Sequence, residues 1–170
     1  MEEINSAKPR LQRIIDLIRE CKLGIHDLSR VQSIGDRELP RFNMPFECGV
    51  FVGAQTFGDA RQGKKAFLLL EAEAHRHQKT LSDAAGLDPR LHNNRPDALV
   101  ACVRDFLAGH IAPRPLGSAH LISLYGEFDA DYPSLAEMFG HEASQLRQLE
   151  TFADWRWIMA DWLAMRAVRT

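Results

Sequence analysis

KAFLLLE, running from Lys65 to Glu71, is an unbroken apolar core held between two charged ends. Strict alternation would mark a strand with one wet face. An unbroken run predicts a strand covered on both faces, as in a parallel sheet flanked by helices. Toward the amino end, NMPFECGVFVGA from Asn43 to Ala54 reads as a helix that is apolar nearly all round, and so as a buried one. The polar stretch from Ser29 to Arg41, with Gly35 and Pro40, reads as a loop. Ahead of it, LGIHD from Leu23 to Asp27 suits a short buried strand that ends on an acid. Ser6 to Lys22 reads as an opening helix, with Leu11, Ile14, Ile15 and Ile18 on one face and Pro9 tolerated in its first turn.

Beyond KAFLLLE, Arg76 to Ala85 and Pro96 to Ala108 read as helices, the second with Pro96 at an early position. Helix, strand, helix, strand, helix is the rhythm of an α/β protein, a small parallel sheet with helical crossovers. No strand precedes the opening helix, so the sheet is expected either to lack its first strand or to be unusually small. The edge beside LGIHD is then open, and unpaired edges invite a second copy, which predicts a homodimer. Pro113, Pro115 and Gly117 mark a boundary between an α/β domain over 1–112 and a helical C-terminal part over 113–170. In that part Ser118 is expected to cap a helix to about Phe128, Pro133 to open a short one, and Thr151 to cap the last. Trp155, Trp157 and Trp162 read as packing groups of that last helix, with a partner-facing surface as the other reading.

Of the 170 residues, 45% are hydrophobic and 26% charged, which suits a chain that buries a core and excludes disordered and collagen-like classes. The net charge of -2, with both signs mixed, gives no support to a nucleic-acid surface. No apolar run approaches the roughly 20 residues of a membrane span. The opening MEEINSAKPR has no signal-peptide pattern. Cys21, Cys48 and Cys102 are odd in number and far apart, which predicts reduced thiols and a cytoplasmic location.

Chemistry concentrates in two places. With Asn43 as a helix cap, Glu47 sits one turn on, four residues away on the same face. A capping box would put the acid three residues after the cap, where Phe46 stands, so capping does not account for Glu47. A carboxylate near a helix start is favoured in its ionised form, the species needed in a nucleophile or to stabilise a cationic transition state. The other reading of Glu47 is a solvent-facing acid or a partner of Arg41, and that of Asn43 is plain capping. Asp27 closes the strand LGIHD at its carboxyl end, the side on which open α/β sheets bind ligands. It either binds a ligand there or organises the following turn through its own side chain. Ser29 and Arg30 add donors and acceptors for a sugar or phosphate.

LGIHD, NMPFECG and KKAFLLL together resemble the nucleoside deoxyribosyltransferase-like group and the related Toll/interleukin receptor-like (TIR-like) domains, over roughly residues 10 to 108. The resemblance implies cleavage or exchange of the N-glycosidic bond of a nucleoside or of NAD. It also implies that Glu47 is the reacting glutamate and that Asp27 helps to hold the substrate. Asn43, Ser29 and Arg30 complete the expected substrate contacts, with no cofactor. The rival expectation is a non-catalytic interaction or nucleotide-sensing module. A metal-dependent hydrolase would require His75 and His77 to meet a carboxylate in space. His92, Asn93 and Asn94 read first as turn and cap residues, and as a pocket edge second.

Overall fold

The computed structural model describes residues 9–31, 40–82, 86–144 and 152–169. These divide into two compact units, with the division between Ser118 and Ala119. The first is α/β. Its elements are α1 (Arg10–Glu20), β1 (Leu23–Asp27), α2 (Asn43–Phe57), β2 (Ala66–Glu71), β3 (Arg90–Leu91) and α3 (Pro96–Ala108). The three strands form one parallel sheet in the order β1-β2-β3. β1 and β2 run in register from Leu23 opposite Ala66 to Asp27 opposite Leu70. β3 joins only at the end, with Leu70 opposite Arg90 and Glu71 opposite Leu91.

The central place of β2 explains its unbroken apolar run. Leu68, Leu69 and Leu70 are all buried, so both faces are covered. Gly24 and His26 of β1 lie beside Phe67 and Leu69 of β2, and side-chain alternation puts all four on one face. α2 packs on that face: Phe51 meets the rings of His26 and Phe67 edge-on at 5.4 and 6.0 Å. The adjoining core holds Leu28, Val31, Cys48 and Leu69, with Met44 and Val52 of α2 packed against it. β1 is an edge strand, and among the described residues its outer side is unpaired.

Several expectations need correcting. α2 is not buried all round: only Cys48 and Phe51 are sealed, while Phe46 and Phe57 are exposed. α1 and the turn at 62–64 also pack against it, and they leave Phe46 and Phe57 exposed. Asn43 is not the cap but the first helical residue; Phe42 stands at the cap position with no side-chain cap bond. The helix is held by the packing of Met44, Cys48 and Val52 instead.

The helix expected over Arg76–Ala85 is a single 3-10 turn, His77–Lys79, within its described part, residues 83–85 lying outside it. Glu71 is the cause. Its carboxylate takes both the backbone N–H and the Nδ1–H of His77, and this tie holds the segment in a turn. Lys65, just before β2, is itself buried. Its ammonium is buried over the Phe51 ring and donates to the carbonyl oxygens of Ile18 and Cys21, at the carboxyl end of α1. α1 starts at Arg10, and Pro9 stands at the cap position in extended backbone, so it precedes the helix instead of lying in its first turn. Ser6 and the cap at Thr151 lie outside the described residues.

The second unit is a helical pair, α4 (Ser118–Met138) and α5 (Phe152–Arg169). Its core is Phe128, Tyr132, Leu135, Ala136, Ile158 and Trp162. Pro133 does not open a new helix; α4 runs through it. An interior proline costs about 3 kcal/mol, and the burial of Tyr132, Leu135 and Ala136 around it offsets that cost. Trp162 donates its indole N–H to Asp131 Oδ2 at 2.9 Å, and Trp155 packs on Phe128 at 5.7 Å. Trp157 is exposed and rests on Phe139. Among the described residues no helix is long and apolar enough to cross a membrane.

Candidate functional site

Parallel strands end together, so whatever follows their carboxyl ends gathers along one rim of the sheet. Three segments do so here. After β1, the backbone of Leu28 continues the ladder with a bond to Leu70 O, and the chain then turns. That turn is built by Asp27: its Oδ1 accepts the backbone N–H of Ser29 at 2.9 Å and the Ser29 hydroxyl at 2.5 Å. After β2, Glu71 is wholly buried and bound to His77. After β3, the N–H of His92 bonds to Glu71 O at 3.0 Å, which fixes where His92 starts. Asn93 and Asn94 then take left-handed backbone angles (φ 51° and 55°), which asparagine tolerates better than most residues, and the chain reverses into α3.

This reversal lays His92 beside the turn after β1. Its Nε2 is 2.9 Å from Ser29 Oγ and 3.6 Å from Asp27 Oδ1. Ser29 and His92 are buried, whereas the Asp27 side chain is 43% exposed. A serine hydroxyl has one proton. With that proton on Asp27 Oδ1, the oxygen can only accept from His92, so Nε2 carries the hydrogen. The order of the three groups excludes a serine nucleophile: in a catalytic triad the histidine stands between acid and serine and takes the serine proton. Here serine stands in the middle and gives its proton to the acid. The arrangement anchors Oδ1 and leaves Oδ2 without a partner among the described residues, on a side chain that is partly exposed.

The remaining sequence-derived candidates lie around this turn. Arg30 is exposed, and its carbonyl accepts the N–H of Arg41 at 2.8 Å, which brings the chain back to the rim just before α2. Asn43, the first residue of α2, is exposed, and Glu47 one turn later is half-buried. Among the described residues no hydrogen bond or ion pair reaches Glu47, from Arg41 or from any other group. No hydrogen bond ties Asn43 or Glu47 to Asp27. Of the five expected site residues, Asp27 and Ser29 are linked, Arg30 follows them in the chain, and Asn43 and Glu47 stand on the first turns of the adjoining helix. His92 completes the linked group. Its only signal in the sequence is the turn-forming Asn93-Asn94 that follows it.

Neighbouring groups are quiet. Burial pushes the Cys48 thiol up, away from the reactive thiolate. His77 does meet a carboxylate, but as a hydrogen-bond partner; His75 is exposed, and the described residues hold no group of three metal-ligating side chains. A cleft of about 280 Å³ lies at the opposite rim, lined by Arg19, Lys22, Arg61, Gln62, Lys64 and Lys65. Its charge has a structural cause. Lys65, Arg61 and Gln62 donate to the last carbonyls of α1, where the helix dipole favours positive charge.

No protein-family model, curated protein or solved structure matches the chain.

Proposed function

We propose that the α/β unit binds a nucleoside or nucleotide and cleaves its N-glycosidic bond. The observation that carries this reading is the Asp27 carboxylate at the carboxyl rim of a parallel sheet: one oxygen is held by Ser29 beside His92, the other has no partner among the described residues, and the side chain is 43% exposed. Such an oxygen accepts from the hydroxyls of a sugar. Glu47, on the second turn of α2 and without a partner among the described residues, supplies the negative charge that the reaction needs. It attacks the anomeric carbon or stabilises the positive charge that develops there as the base departs. Arg30, in the turn after β1, and Asn43, at the start of α2, are both exposed and add polar contacts.

The test is direct. The protein is incubated with NAD and with a panel of nucleosides, and released free base is measured by chromatography. Base released by the wild type supports the reading. Ligand binding without release points to a nucleotide-sensing module, and neither binding nor release overturns the reading.

A further inference from the structure

We infer that His92 is a positioning residue: it acts through the Ser29 hydroxyl to fix the Asp27 carboxylate so that a single oxygen, Oδ2, is presented to ligand. This rests on the reading of Asp27 as a sugar-binding acid, but the relay is a property of the chain alone.

The donors run one way. The backbone N–H of Ser29 and its hydroxyl both give to Asp27 Oδ1, which uses the two lone pairs of that oxygen. The hydroxyl, having given its proton, is left as an acceptor, and His92 Nε2–H fills it from 2.9 Å. Ser29 and His92 are 9% and 5% exposed, so water does not replace either bond at little cost. Only Asp27 reaches solvent. Without the hydroxyl and His92, the Ser29 backbone N–H alone would hold Oδ1, and the carboxylate would turn more freely about its last bond. With it, one oxygen points in one direction. A residue 63 positions further along the chain therefore sets the geometry of an acid on β1.

The chemistry of the ligand follows. A lone carboxylate oxygen accepts hydrogen and repels anions, so the part of the ligand that docks here carries hydroxyls, and a phosphate does not sit against it. The two neighbouring hydroxyls of a ribose are the fitting pair, because both can donate to one oxygen. Removing one of them should weaken binding, whereas removing a 5′-phosphate should not weaken the contact at Asp27.

The first measurement needs no ligand. Imidazole ¹⁵N spectra of the full chain at neutral pH are expected to show His92 held as the Nε2–H tautomer, with that preference lost in Ser29→Ala. A bare Nε2 on His92 in the wild type would mean that serine donates to histidine, and would overturn the relay. The second measurement is nucleoside affinity by calorimetry, with adenosine and 2′-deoxyadenosine as probes. Ser29→Ala and His92→Phe are each expected to weaken adenosine binding roughly tenfold, the size of one lost bond to a charged group. The double variant should be no weaker than either single one, because both cut the same relay. His92→Gln should recover most of the affinity, since its amide N–H can donate to Ser29 where phenylalanine cannot. Additive losses, or no recovery with glutamine, would show that His92 acts on packing alone and would sink the proposal. If the wild type binds no nucleoside, the glycosidic reading fails by itself, and the tautomer spectrum still decides the relay.

Discussion

His77 gives its Nδ1–H to Glu71 Oε2 across 2.7 Å, and the two side chains are 1% and 0% exposed. The same carboxylate also holds the backbone N–H of His77, so the end of β2 and the turn that follows it are one unit. Glu71→Ala would leave both donors buried without acceptors. A loss of roughly 3 kcal/mol or more is expected, read as a shift in the urea midpoint. A loss below about 1 kcal/mol would show that the turn is held by other contacts.

His26 offers a pH test. It is buried against Phe51 and Phe67, its Nε2 has no partner among the described residues, and burial holds its pKa below the ordinary 6.5. The unfolded chain therefore takes up this proton at a higher pH than the folded one. Between the two values the unfolded state carries more protons, so stability falls as the pH drops. The penalty is absent well above about pH 6.5 and grows below it. His26→Leu should flatten the fall of the melting temperature between about pH 7 and pH 5. Parallel curves for variant and wild type would show that the acid sensitivity lies elsewhere.

Two glycines are expected to respond in opposite ways to alanine. A Cβ on Gly24 would lie 2.9 Å from both Phe51 Cε2 and His26 Nε2, closer than atoms pack. Gly24→Ala should cost about 1–3 kcal/mol, because the aromatic contact under α2 must shift. At Gly49, in the interior of α2, nothing lies within 4 Å of the added carbon. Gly49→Ala should stabilise by about 0.5–1 kcal/mol through helix preference alone. Equal effects at the two sites, measured by chemical unfolding, would contradict the packing described for β1 and α2.

Glu47→Gln separates chemistry from structure. The carboxylate makes no bond within the described residues, so the amide should leave stability within about 0.5 kcal/mol of the wild type, as surface changes usually do. Base release from nucleoside or NAD should fall by on the order of 10²-fold or more, since the charge facing the sugar carbon is gone. A variant that still releases base at the wild-type rate would remove Glu47 from the mechanism.

The outer edge of β1 gives the last prediction. With Ile25 44% exposed and no strand paired beside it among the described residues, the edge is expected to join a second copy of the chain. Light scattering at tens of micromolar should then report a dimer, and Ile25→Lys should shift it toward monomer. A wild-type monomer across that range would refute the pairing.

Much of the fold was legible because burial leaves a mark on composition. LGIHD and AFLLLE are strands where the apolar runs placed them, and Pro96–Ala108 is a helix with its proline at the start. β3 was not legible, since two residues, Arg90 and Leu91, carry no period. The helix expected after Arg76 failed because the local preference of that segment is weaker than the buried bonds of His77 to Glu71. α4 crosses Pro133 for a related reason: neighbours in space outweigh the cost written in the sequence.

The candidate site divides along the same line. Asp27 and Ser29 are two residues apart, and an acid at a strand end followed by a serine is enough to specify their turn. These local facts needed no fold. His92 is different: its bond to Ser29 exists only because three parallel strands end at one rim and two left-handed asparagines turn the chain back there. The freedom of Glu47 is likewise a tertiary outcome, because the helix around it is only half covered. Short-range hydrogen bonds and apolar runs are encoded residue by residue. Which buried donor meets which acceptor across 63 residues is settled only when the sheet has formed and excluded water from the contact.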